Sequence, residues 1–195
     1  MDILPREESA LVFTSARVMH WAKICESQGN LTSEKIKLLE QYLTVIGKYL
    51  PNVSMEFCHG HLDANSVRKM SNGEYILMSN IFWTWRPQMY DMVFHLWAGI
   101  KSLRDEVTEK LIVKYLFSWE DGFIKIQDKK YELFAINFRL MMLERCIGTI
   151  LVDIENQEYP KHESGKDVEY LRELFISLFK LYSHSCDVLS KSMYR

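Results

Sequence analysis

Phe57-Cys58-His59-Gly60-His61-Leu62-Asp63-Ala64-Asn65-Ser66-Val67 is the stretch on which the fold of this chain turns. A short strand-like run, Ser54 to Cys58, leads into a His-Gly turn rich in polar side chains. Just beyond it, Val67 to Met70 and Glu74 to Ser79 flank Ser71-Asn72-Gly73, which predicts a β-hairpin because Asn and Gly tolerate positive φ. An aromatic, proline-containing segment, Ile81 to Pro87, follows and opens a helix at Tyr90-Asp91. A polar loop set between a strand and a hairpin, with a helix start downstream, is the arrangement to be explained.

Outward from the loop the chain reads as helix. Only 8 Gly and 4 Pro punctuate its 195 residues. Ser9 to Glu26 predicts a first helix, with Leu11, Val12, Ala16, Met19 and Ala22 toward the core, stopped by Gly29-Asn30. A second helix, 33–50, is capped by Thr32 or Ser33 and carries Ile36, Leu39, Leu43, Ile46 and Leu50 at helical spacing until Pro51 ends it. After the hairpin, helices are expected over Asp91 to Leu103, Asp105 to Trp119 and Tyr131 to Glu155. The last is apolar nearly all round and so belongs at the centre of a helical domain. A loop containing Pro160 and Gly165 precedes a final helix marked by Val168, Leu171, Phe175, Leu178 and Tyr182. The expectation is one domain over 1–195, mainly α with a small β-hairpin (α+β), its helical remainder running over 90–191.

Composition excludes several functions. With 48% hydrophobic and 26% charged residues the chain is a folded globular one. A net charge of −2, with Lys and Arg scattered among Glu, gives no electrostatic footing for nucleic acid. No apolar run is long enough to span a bilayer, and the acidic start lacks an apolar signal core, which predicts a cytoplasmic protein with no membrane partner. Cys25, Cys58, Cys146 and Cys186 form no Cys-x-x-Cys pair and read as buried free thiols. Cys58 beside His59 hints at a nucleophile, but neighbours in an extended segment point to opposite faces.

Two chemistries suit the loop. His59-Gly60-His61-Leu62-Asp63 is a His-x-His-x-Asp string that resembles the opening ligand set of the metallo-β-lactamase-like hydrolases, where zinc activates water. Two helices rather than sandwich strands precede it, Ala64 stands where that set continues with His, and His95, His162 and His184 fall in or beside helical patterns. A zinc-dependent hydrolase is thus one alternative, although no metal is expected.

The stronger likeness is to the aminoglycoside phosphotransferase and choline kinase group of the protein-kinase-like superfamily. The family loop, roughly His-Gly-Asp-Leu-His-Pro-Gly-Asn-Val, lies between a short strand and a hairpin. It is followed by an Ile-Asp-Trp-Glu segment and a Pro-x-x-Tyr-Asp-Leu-Ala helix start. Here His59-Gly60, Leu62 and Val67 fall on the loop, Tyr75-Ile76-Leu77-Met78 on the next strand, and Pro87 to Asp91 on the helix start. The chain therefore resembles that family's C-terminal lobe, with no Gly-rich loop or N-terminal sheet read before His59.

Departures fall on the positions that carry chemistry. The resemblance puts His61 where the family has its catalytic Asp, Ser66 (with Asn65 one place early) at a magnesium-binding Asn, and Ser79 or Asn80 at a magnesium-binding Asp. Phosphoryl transfer needs anionic ligands for Mg²⁺ and a positioned nucleophile. These replacements imply a degenerate, pseudokinase-like domain that binds a small molecule or a protein partner and needs no cofactor. An active phosphotransferase using His61 and Asp63 with Mg-ATP is the alternative, a partner chain supplying the nucleotide lobe; association with a second chain or as a homo-oligomer is among the expectations. His59, Gly60 and Asp91 are expected to shape the loop, Asp91 as a helix-start device. Trp83, Trp85 and Arg86 read first as core packing against the helices; their functional reading is a stacking wall or partner-facing patch, with Arg86 pairing with a carboxylate or phosphate.

Overall fold

The computed structural model describes residues 9–78, 81–101, 109–127, 131–154 and 166–193. Helix α1 (Ala10–Ser27) starts at Ser9, whose side chain accepts from Val12 N at 3.3 Å. It ends in a Schellman arrangement: Gly29 N donates to Glu26 O at 2.9 Å, Asn30 N donates to Cys25 O at 3.0 Å, and Gly29 takes φ of +71°. Helix α2 (Ser33–Tyr49) is capped by the Thr32 hydroxyl, which accepts from Lys35 N at 3.3 Å.

The buried face of α1 differs from the expected one. Ala10, Thr14, Val18, Ala22 and Cys25 are buried, while Val12 and Met19 are 55% and 42% exposed and Ala16 faces solvent. Thr14 and Arg17, polar residues that a periodicity count assigns to water, lie on the inward side. In α2, Leu39 and Ile46 are buried as expected and so is Leu50 just past its end, but Ile36 is exposed and Lys35 is buried, its Nζ 3.7 Å from Cys25 Sγ.

The β part is two sheets rather than one hairpin. Strands β1 (Met55–Cys58) and β4 (Thr84–Pro87) pair antiparallel, Met55 opposite Pro87 and Cys58 opposite Thr84. Between them in sequence, β2 (Val67–Lys69) and β3 (Tyr75–Leu77) form the expected hairpin, Val67 opposite Leu77. Its turn uses positive φ at Gly73 (+88°) alone, with Gly73 N donating to Met70 O at 3.0 Å. Asn72 contributes through its side chain, Oδ1 accepting from Glu74 N at 3.0 Å.

Helix α3 (Tyr90–Lys101) follows β4 directly, then α4 (Glu109–Gln127), α5 (Tyr131–Gly148) and α6 (Lys166–Met193). Residues 102–108, within the expected third and fourth helices, and the loop with Pro160 and Gly165 lie outside the described residues. Helix α5 is the central element, in contact with α1, α2, α3, α4 and α6, and from Ala135 to Gly148 only Arg139 is not buried. Instead of continuing as α-helix to Glu155, α5 gives way to a π-helical turn, Thr149–Asp153, closed by Ile154 N to Thr149 O at 3.1 Å. The Thr149 hydroxyl explains it: Oγ1 donates back to Arg145 O at 2.8 Å and accepts from Trp97 Nε1 at 2.7 Å, competing with the regular ladder. The buried apolar side chains of all six helices form one cluster. Among the described residues no helix is long and apolar enough to cross a membrane.

Candidate functional site

The polar loop leaves β1 at Cys58 and returns to the hairpin at Val67, and carboxylates fix both its ends. Asp91, in the first turn of α3, accepts from His59 N at 2.6 Å (Oδ2) and from Gly60 N at 2.8 Å (Oδ1). Asp91 was expected to serve its own helix start. It reaches instead across 31 and 32 residues of sequence to hold the loop backbone. Gly60 is required where it stands: φ is +78°, and a Cβ would lie 2.2 Å from Phe82 O.

At the other end, Asp63 caps a single 3₁₀ turn, Ala64–Ser66. Its Oδ1 lies within 2.9–3.0 Å of three donors, Asn65 N, Ser66 N and Ser66 Oγ, and Ser66 Oγ accepts from Asp63 N at 3.2 Å, a reciprocal capping box. Partial burial raises the Asp63 pKa, but the Ser66 and Asn65 hydrogen bonds, with the nearby His61, outweigh it and hold the carboxyl below its ordinary value.

The two histidines divide. His59 is buried, with Nε2 2.7 Å from Met78 O and its ring edge-on to Trp83 at 5.0 Å, so it ties the loop to the hairpin. His61 is about half exposed. It stacks on Phe82 at 5.0 Å, packs tilted against Phe94 at 4.7 Å, and brings Nε2 to 4.0 Å from Asp63 Oδ2. His61 and Asp63 are therefore brought together, while His59 is engaged elsewhere. Among the described residues no three His, Cys, Asp or Glu side chains gather as a metal-binding group.

Magnesium, which the resemblance makes the cation of the active alternative, needs anionic oxygens. Asp63 is the loop's one carboxylate and spends Oδ1 on the loop itself, and Ser66 Oγ lies 2.9 Å from His61 O as well as on Asp63. Asn65 is exposed and contacts Asp63 through its backbone N. Ser79 and Asn80 lie outside the described residues. The loop residues that are described do not fit a Mg²⁺ site.

Cys58, the thiol beside His59, is buried. Burial above all, then the charges of Asp91 and Glu56, push its thiol well above the ordinary range, and Sγ lies 3.6 Å from Glu56 O. Glu56 itself was missed in the sequence. Its Oε1 accepts from Met89 N at 3.0 Å and so steadies Met89, which takes φ of +75° just before α3. Burial, followed by the charge of Asp91, raises the Glu56 pKa against the pull of that hydrogen bond. Glu56 alternates with Phe57 on a strand, and only the unrecognised β4 would have given it a partner.

Trp83 stacks on Phe57 at 5.8 Å and remains 37% exposed, while Trp85 meets Phe57 edge-on at 6.0 Å. Of the two readings of this segment, core packing and a partner-facing patch, Arg86 follows the first: its guanidinium lies over the rings of Phe13 (4.8 Å) and Tyr90 (5.2 Å). Comparison with protein-family models, curated proteins and solved structures returned no match.

Proposed function

We propose that the chain is a degenerate relative of the aminoglycoside phosphotransferase-like kinases, matching their C-terminal lobe, and that it acts by binding a protein partner or small molecule rather than by catalysis. The order of parts supports this: strand, polar loop, hairpin, aromatic segment and helix start follow one another as the resemblance requires. One observation carries the non-catalytic half. The carboxylates nearest the loop are spent on its architecture, Asp91 on two backbone amides and Asp63 on three loop donors. Neither is left as a free pair of oxygens for a divalent cation.

Binding is supported by the hairpin. Tyr75, Ile76, Leu77 and Met78 are all exposed, and so are Ile81 (91% exposed) and Phe82. A two-stranded hairpin exposed on both faces is marginal alone, and large apolar side chains left exposed on it support a role in binding. A protein partner supplying a second lobe, or a second copy of this chain, would cover it.

The His61–Asp63 pair at 4.0 Å favours the alternative, an active phosphotransferase in which His61 takes the proton of an acceptor hydroxyl. Calorimetric titration of the protein with ATP, in magnesium and in EDTA, separates the two. The binding scaffold gives identical isotherms, since no group grips the metal. A magnesium-dependent gain in affinity that disappears in Asp63→Asn would establish the phosphotransferase instead.

A further inference from the structure

The hairpin has two open edges, and they differ in charge. Among the described residues β2 and β3 pair only with each other, and every residue of both strands is exposed. The β2 edge carries Arg68 and Lys69, the kind of charged residue that blocks pairing with another chain. The β3 edge runs Tyr75-Ile76-Leu77-Met78 without a charge, Tyr75 being 69% exposed.

Register decides which backbone groups that edge offers. Met70 N donates to Glu74 O and Met78 N to Ser66 O, both at 2.7 Å. Hydrogen-bonded and non-bonded pairs alternate along an antiparallel ladder, so Arg68–Ile76 is the bonded pair between those two contacts. Lys69–Tyr75 and Val67–Leu77 are the non-bonded pairs. The N–H and C=O groups of Tyr75 and Leu77 therefore point away from β2, out of the uncharged edge, in position to receive another strand.

The same charges decide what can occupy the edge. Joining two copies β2 to β2 through their outward groups sets Arg68 opposite the partner's Arg68, and like charges directly opposite destabilise a sheet. Joining β3 to β2 leaves a fresh edge at each end and builds an open chain of molecules. Joining β3 to β3 closes on itself. In antiparallel register Tyr75 meets the partner's Leu77, each such pair exchanging two backbone hydrogen bonds, and Ile76 meets the partner's Ile76 on the two-fold axis. Glu74 then faces the partner's Met78, whereas parallel strands would set it beside the partner's Glu74.

We propose that β3 is a self-docking edge: a second copy of this chain pairs with it, β3 against β3, antiparallel about Ile76. Each two-stranded hairpin becomes half of one four-stranded sheet, past the about three strands at which a sheet becomes stable on its own. The proposal rests on the reading of the hairpin as a binding surface and names its occupant.

Sedimentation equilibrium of the full chain over a concentration series tests it. Short strands make a small interface, in the class below about 1,200 Å², so the series runs to about 1 mM. The mass should rise toward twice that of the chain. Ile76→Lys and Ile76→Glu each put like charges on the two-fold axis and should weaken association about fivefold or more, while an equimolar mixture of the two variants brings it back. Leu77→Pro removes an outward N–H and no hydrogen bond within the hairpin, so it should also weaken the dimer while helical circular dichroism stays unchanged. A dimer indifferent to Ile76→Lys, or a mixture no tighter than the single variants, overturns the proposal. So does a monomer throughout, which hands the edge to a strand of another protein and leaves the binding reading standing. ADP formation from Mg-ATP would do the reverse, sinking that reading without touching the dimer.

Discussion

Gly60 and Gly73 both hold positive φ, at +78° and +88°, yet a side chain would meet very different surroundings at the two positions. A Cβ at Gly73 meets nothing within 4 Å, whereas one at Gly60 runs into the Phe82 carbonyl. Gly73→Ala is expected to cost about 1 kcal/mol, the left-handed penalty alone. Gly60→Ala should cost about 3 kcal/mol or more because backbone must move, and paired urea unfolding curves measure the difference. Asp63 gives a pH test. An acid whose folded pKa is depressed stabilises the fold above its unfolded value and loses that contribution as pH falls through the folded one. Asp63→Asn should therefore lower the urea midpoint at pH 7, and the gap to wild type should close as pH drops below the ordinary 3.8. Residue identities around the loop were legible because Gly, His and Asp at a turn have few uses. The partners were not: Asp91 meets His59 across 32 positions. No local pattern encodes such a separation.

Elements with strong periodicity or clear punctuation could be read directly, among them α2, α5 and the Asn-Gly hairpin. Three features were hidden. The face of α1 was misassigned because Thr14 and Arg17 point inward, where Arg17 meets Glu144. Strand β4, Thr-Trp-Arg-Pro, lacks a clean alternation and exists through its pairing with β1 nearly thirty positions away. The π-helical turn after α5 depends on one hydroxyl accepting from an indole of α3. Thr149→Val keeps the volume but removes the hydroxyl that accepts from Trp97 Nε1, for an expected loss of about 1–3 kcal/mol in chemical denaturation. Gly148 sits against the same turn, and a Cβ there would come 2.8 Å from Trp21 Cζ3. Gly148→Ala should thus cost about 1–3 kcal/mol, with a changed near-ultraviolet tryptophan signal showing that the ring has shifted.

For the molecule as a whole, the helices that bury the core also carry charge into it. Glu144 is completely buried between Arg17 and Arg145, and Glu144→Gln leaves those two cations without a counter-ion. A loss of about 3–5 kcal/mol is expected, enough to unfold a protein of ordinary stability and measurable as a large drop in melting temperature. The fold class and the position of the polar loop were visible from composition, helix spacing and the hairpin signal. How that loop spends its carboxylates became visible only in three dimensions, and the functional proposal rests on it. Assay of the purified chain for ADP formation from Mg-ATP, with a panel of small hydroxyl compounds as acceptors, tests that proposal most directly. No turnover above the buffer rate is predicted, for wild type and for His61→Ala alike. Sustained ADP formation by the wild-type chain, lost in His61→Ala while that variant remains folded, would contradict it.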